Sequence, residues 1–269
     1  INYLIFIFEH KNKIMKCFLT IFSMFLAKFL NAQQQFIAHR GASYLAPENT
    51  VAAAKLAWEL GADAVEVDIH LSKDNRVMVI HDKDTKRTCS GKKNFRVSKT
   101  PSTVLRELDC GSWKDEKYAG EKIPFLSEII ETVPEGKKLV VEIKCGSEVL
   151  PHLKRCIDQS GKKDQIIFIS FGWNTILDTK AVFFDNKCYW LSALKPGLNK
   201  KMKQAAEAGL EGVNLRHKII NPKTMSLARK NNLEMLTWTV DDPEEAIRLT
   251  GLGVTGITTN RPKWLKEQM

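Results

Sequence analysis

Glycine and proline are sparse, at 15 and 9 of 269 residues, which excludes a collagen-like repeat. No G-x-G-x-x-G or Walker-type loop follows the first strand candidate, so neither of those phosphate cradles is present there. Acids are in deficit, with 31 Asp and Glu against 41 Lys and Arg and a formal charge of +10. An anionic partner is therefore to be considered, whether nucleic acid, lipid headgroup or phosphorylated substrate. The basic residues are spread without interleaved aromatic platforms or a recognisable module, which argues against nucleic acid. What is present is ample apolar content, 43%, with 27% charged residues, a balance that excludes a disordered chain and a polytopic membrane protein.

Residues 1–32 read as a leader. Met15-Lys16-Cys17-Phe18-Leu19 opens with a basic start and an apolar run to Ala27, shorter than the about 20 apolar residues a bilayer crossing needs. Leu30-Asn31-Ala32 before Gln33 supplies a small-residue cleavage site, and residues 1–14 read as translated upstream sequence. The expectation is an exported protein, periplasmic or extracellular. The leader holds four lysines and one acid, so residues 33–269 keep a net charge of +7. Five of the six cysteines follow the cleavage point, where disulfides are allowed but five cannot all pair. Cys89 with Cys110 is the first pair to test, because both lie in a stretch of weak periodicity; buried free thiols are the alternative.

Short β-branched runs then alternate with helical patterns: Gln35 to His39, Ala64 to Leu71, Lys138 to Lys144, Gln165 to Ser170, Lys187 to Ser192, Gly212 to Leu215, Glu234 to Val240 and Val254 to Thr258. Helices are expected at Thr50 to Leu60, Leu126 to Val133, Glu148 to Ser160, Lys200 to Ala208, Pro222 to Asn231 and Pro243 to Thr250, with Gly61, Gly161, Gly209 and Gly251 at their C-terminal ends. Eight such units predict a (β/α)8 TIM barrel, a single domain over 33–269. A ninth strand-like run, Val77 to His81, returns from the second strand through a hairpin, and a Lys-rich insertion spans about 83–125. Loops at the C-terminal face of such a barrel build its active site, so the insertion is expected to cap it.

Polar residues gather at the strand ends that face this rim: His39 and Arg40, Glu66 and Asp68, Glu142 and Lys144. Members of each carboxylate-bearing pair are two apart and share a side of their strand. A two-residue turn at Asp74-Asn75 pairs positions summing to 149 and brings His81 opposite Asp68. Three carboxylates repel one another unless a cation sits among them, and hard oxygen donors suit Mg²⁺ or Ca²⁺. Arg40 and Lys144 can hold phosphoryl oxygens, and His39 and His81 can act as general base and acid.

At these residues the chain resembles the glycerophosphodiester phosphodiesterase family. The resemblance rests on His39-Arg40-Gly41, Pro47-Glu48-Asn49-Thr50, Glu66-Val67-Asp68, His81-Asp82, Glu142-Ile143-Lys144, Ser170-Phe171, Thr237-Trp238-Thr239-Val240, and Gly256-Ile257-Thr258 leading to Arg261-Pro262. It implies hydrolysis of glycerophosphodiesters to glycerol 3-phosphate and an alcohol. It also implies one divalent cation, Ca²⁺ or Mg²⁺, on Glu66, Asp68 and Glu142, with His39 and His81 as the acid-base pair. Substrate contacts fall to Arg40, Lys144 and Trp238, and Glu48 supports the metal or His39. Asn260 stands where the family usually has Asp. A phospholipase D-like enzyme acting on lysolipid or sphingolipid is the alternative within enzymes, and a non-catalytic phosphodiester-binding protein the alternative outside them. Membrane contact is compatible with these readings without being required, and they leave the oligomeric state open.

Overall fold

Val- and Ile-rich strands alternate with helices, three of which have first turns capped by the side chain that precedes them. Thr50 accepts from the Ala53 amide, Asn221 from Thr224 and Asp242 from Glu244, the last two ahead of a proline in the first turn. The computed structural model describes residues 34–91 and 93–269, so the expected leader, 1–32, lies outside the described residues. The strands are β1 (Gln35–Ala38), β2 (Ala64–Leu71), β3 (Val77–Val79), β4 (Lys138–Ile143), β5 (Ile166–Ser170), β6 (Cys188–Ser192), β7 (Gly212–Arg216), β8 (Glu234–Trp238) and β9 (Gly256–Thr259). All but β3 run parallel, and β1 pairs with both β2, Ile37 opposite Ala64, and β9, Phe36 opposite Ile257. The sheet is thereby closed as the eight-stranded barrel that the alternation predicts.

The period of two along each strand sorts the core into two layers. Val65, Val67, Val141, Phe168, Val213 and Leu215 point outward to Leu126, Ile129, Leu153, Ile176 and Met202 of the surrounding helices. Ile37, Val140, Ile167, Ile169, Tyr189, Leu191 and Leu236 fill the interior. Burying each of these large side chains contributes about 1.5–3 kcal/mol. The interior plug also excludes water from beneath the rim, so that the polar groups above it stand over a low-dielectric floor.

Several boundaries differ from expectation. The ladder ends one or two residues early at His39, Lys144 and Val240, where the chain turns outward to form the rim. A helix also covers Trp173–Val182, and Gly253, with φ of 92°, ends the helix Pro243–Leu252 in place of Gly251. The hairpin register is corrected as well: Ile69 pairs with Val79 and Leu71 with Val77, so opposed numbers sum to 148. Its loop has three residues, not two. Ser72 donates to the Arg76 carbonyl, and Asn75 takes a left-handed φ of 61°, the geometry of a three-residue hairpin with a bulge. Asp68 accordingly faces Ile80, whose amide donates to the Asp68 carbonyl at 3.0 Å, and His81 follows one residue beyond.

Beyond β3 the chain builds a small satellite core from Met78, Ile80, Val97, Leu105, Cys110 and Ile123. A Cys89–Cys110 disulfide staples it, while Cys145, Cys156 and Cys188 are free. Arg106 clamps Glu128 with bonds of 2.6 and 2.9 Å, tying this segment to the helix Leu126–Glu131. Lys114 donates to the Ser43 carbonyl at 2.8 Å and Tyr118 to that of Leu45 at 3.2 Å, so the insertion braces the loop after β1.

Candidate active site

The site begins with a sharp turn after β1. Arg40 has a φ of 56°, and Gly41 follows at 80°, where a Cβ would lie 2.6 Å from the Ala53 backbone. Only glycine lets the turn close that tightly. The turn aims the Arg40 amide at Glu66 Oε2, 3.0 Å away, and its guanidinium at Glu48 (2.9 Å) and Asp68 (3.3 Å). A second left-handed residue, Asn49, with φ of 59°, clamps Asp68 from both ends: its amide nitrogen donates to Oδ2 at 2.9 Å, and its oxygen accepts from the Asp68 amide at 3.1 Å.

Glu66, Asp68 and Glu142 offer ligand atoms within 4.8 Å of one another. Burial and the neighbouring carboxylates Asp68 and Glu142 hold Glu66 well above the usual carboxylate range. Glu142 is pushed up to about 7 by burial and Asp68. Burial pulls Asp68 the same way, but Arg40 and Lys144 outweigh it and hold that group below its ordinary value. Lys144 lies 3.1 Å from Glu142 and 3.6 Å from Asp68. Glu66 Oε1 is buried without a hydrogen-bond partner, as is Arg40 Nε. A buried, unpartnered carboxylate oxygen in an all-oxygen cluster fits a hard divalent cation, which would relieve the mutual repulsion.

Two imidazoles flank the cluster, each held by Nδ1. His39 Nδ1 lies 2.8 Å from Asn260 Oδ1, and His81 Nδ1 lies 2.6 Å from Asp82 Oδ1. The Lys144 ammonium donates to His81 Nε2 at 3.0 Å. Burial and the Arg40 charge push His39 down to about 4, leaving its ring neutral at pH 7. Arg87 joins the two sides, bonding Glu48 at 2.7 and 2.8 Å and Asp82 at 2.8 Å. Its hydrogen bond holds Asp82 down at about 2. Glu48 therefore bridges Arg40 and Arg87 and has no bond to His39 among the described contacts.

Trp238 sits at the end of β8, its indole donating to the Asn214 carbonyl at 3.2 Å and its ring meeting Phe171 edge-on at 5.4 Å. It contributes an apolar wall rather than a charged contact. Sequence reasoning missed several members of the site: Asn49, His70, Asp82, Arg87, Asp241 and Asn260. His70 had a readable signal, since it continues the face of Glu66 and Asp68; its Nε2 lies 3.2 Å from the His81 carbonyl. Asn260 stands at a family motif position, yet neither its partner nor that of Asp241 is readable there, because both are fixed only by barrel closure. A separate cavity of about 390 Å³ lies on the outer layer, lined by Arg76, Phe125, His152 and Arg155, and includes none of the three carboxylates.

Residues 39–264 match the glycerophosphoryl diester phosphodiesterase family. A glycerophosphodiester phosphodiesterase of Caldanaerobacter subterraneus is 34% identical over 237 residues, covering 85% of this chain and 95% of that one. Another from Bacillus subtilis is 26% identical, covering 84% and 83%. Among solved structures, an Oleispira antarctica phosphodiesterase in complex with the product sn-glycerol-3-phosphate superposes with a TM-score of 0.81 at 28% identity, covering 87% of this chain and 96% of that one.

Proposed function

The chain belongs to the glycerophosphoryl diester phosphodiesterase family, and from that premise we propose that it hydrolyses glycerophosphodiesters to glycerol 3-phosphate and an alcohol with a divalent cation, Ca²⁺ or Mg²⁺. The observation that carries this reading is the cluster of Glu66, Asp68 and Glu142 within 4.8 Å, set between Arg40, Lys144 and two Nδ1-anchored histidines. The three carboxylates would hold the cation, which when bound offsets the charge developing on the phosphoryl oxygens. Arg40 and Lys144 orient the phosphodiester through its non-bridging oxygens. His39, neutral at pH 7, accepts the proton of the attacking hydroxyl or water at Nε2. In the proposed cycle Lys144 turns from His81 Nε2 to a phosphoryl oxygen, His81 enters the step protonated at Nε2 and gives that proton to the departing alcohol oxygen as the phosphorus–oxygen bond breaks, and the Asp82 carboxylate stabilises its charged form.

Glycerophosphocholine incubated with the protein and Mg²⁺ or Ca²⁺ is expected to release glycerol 3-phosphate, and EDTA to stop the release. Absence of product with every divalent metal overturns the reading and favours a binding protein. Glu66→Ala is expected to lose metal binding and turnover together. His39→Ala is expected to keep metal binding, measured by calorimetry, while turnover falls on the order of 10²-fold or more.

A second reading, turnover of lysolipid or sphingolipid, is favoured by apolar side chains exposed on loops after β1, β5 and β6: Tyr44 (53%), Phe171 (46%) and Leu194 (70%). Lysophosphatidylcholine presented in vesicles discriminates the two. The leader pattern and the Cys89–Cys110 disulfide together support an exported protein, since such bonds persist in oxidising compartments.

A further inference from the structure

Asn260 and Asp241 form a chain of hydrogen bonds behind His39. The side-chain amide of Asn260 reaches across 221 residues of sequence to His39, its Oδ1 lying 2.8 Å from Nδ1 and accepting from the Ser43 hydroxyl at 3.1 Å. The opposite end of the amide donates to Asp241 Oδ2 at 2.5 Å. Asp241 is held in turn, its Oδ1 accepting from the Thr259 hydroxyl at 2.7 Å and the Asn260 amide at 2.8 Å.

An ionised carboxylate only accepts hydrogen bonds, so Asp241 determines which end of the Asn260 amide faces it. The nitrogen must point to Asp241 and the oxygen to His39. An oxygen facing Nδ1 requires hydrogen on Nδ1, which leaves Nε2 as the ring's bare lone pair. Resting on the hydrolytic reading of this site, we infer that Asp241 and Asn260 are positioning residues that set the tautomer of His39 and reserve Nε2 for proton transfer. The neutral amide does this without placing a carboxylate against the ring.

The test substitutes Asp241→Asn. The new side chain keeps an oxygen for Thr259 and the Asn260 backbone but turns a donor toward the Asn260 side chain. Asn260 is then expected to flip, present its nitrogen to His39 and move the ring hydrogen to Nε2. Long-range ¹H–¹⁵N NMR at pH 7 reads this directly on the full-length protein, with the His39 signals identified by their loss in His39→Gln. The wild type is expected to show Nδ1–H and Asp241→Asn to show Nε2–H, with kcat down on the order of 10²-fold and KM within about twofold. The double variant Asp241→Asn with Asn260→Asp reverses the bond between the two side chains but again presents an acceptor oxygen to His39 Nδ1, and is expected to return both the Nδ1–H tautomer and kcat to within about tenfold. Asn260→Leu, lacking any acceptor, is expected to show mixed tautomers. An Nε2–H ring in the wild type, or an unchanged tautomer in both Asp241→Asn and Asn260→Leu, overturns the inference. The NMR arm needs no turnover, so a protein that behaves as expected there yet hydrolyses no glycerophosphodiester refutes the activity alone.

Discussion

Charge carries most of the information at the scale of single residues. The site holds its cations and anions in one connected web, from Lys144 through Asp68 and Arg40 to Glu48, Arg87 and Asp82. Asp82 is the member whose effect is simplest to measure. Its native value of about 2 lies below the ordinary 3.8, so the folded state binds fewer protons than the unfolded state between those values. The stabilisation is thus fully present above about pH 4 and is lost as the pH falls through about 2. Asp82→Asn is expected to cost about 1–2 kcal/mol at pH 6, allowing for solvent screening of a group 30% exposed, and almost nothing near pH 2. Urea unfolding of both proteins at the two pH values checks it.

At the scale of elements, the insertion is a module with its own core and its own staple. The disulfide closes a loop of 21 residues, and a loop of that size is worth about 3 kcal/mol in chain entropy. That stabilisation acts on the satellite cluster around Met78, Ile80 and Leu105, while the barrel strands keep their packing. Replacing both Cys89 and Cys110 by Ser is expected to open the insertion to limited proteolysis between residues 83 and 125, leaving the Gln165–Met269 half resistant. Cleavage first within the β5–β9 half would show that the staple acts on the barrel instead. Since Lys114 and Tyr118 brace the loop bearing Ser43 and Leu45, activity of this variant is expected to fall through KM before kcat.

At the scale of the whole molecule, Gln35–Met269 forms one compact unit, and the family match over residues 39–264 lies within it. The surplus of base over acid is spread around it, with Arg40 and Lys144 the two cations at the carboxylate cluster. Export, proposed from the leader pattern, is tested on the full chain. Expression with the native leader is expected to release a protein whose first residue is Gln33, read by N-terminal sequencing, with Cys89 and Cys110 unreactive toward thiol reagents until reduced. A product that stays in the cytoplasm with its leader attached refutes export.

The sequence by itself determined the barrel and much of the rim. A period of two places Glu66 with Asp68, and Glu142 with Lys144, on one side of a strand whatever the neighbours are, because successive side chains alternate. Eight β-branched runs separated by amphipathic helices bury their outward faces under those helices and their inward faces by closing the sheet into a barrel. Glu48 and Asn49 were legible as a helix start, but not as the groups that steer Arg40 and Asp68, since that depends on two left-handed residues side by side with β2. The His81 register was legible to within one residue; the loop's third residue shifted it, and β3 still delivers the imidazole to Lys144. Only the tertiary structure decided the partner of His39. Asn260 and Asp241 lie more than 200 residues away, and their approach depends on how the last strand docks beside the first. Short-range periodicity carries the direction of a side chain, whereas closure of the barrel decides which distant side chain meets it.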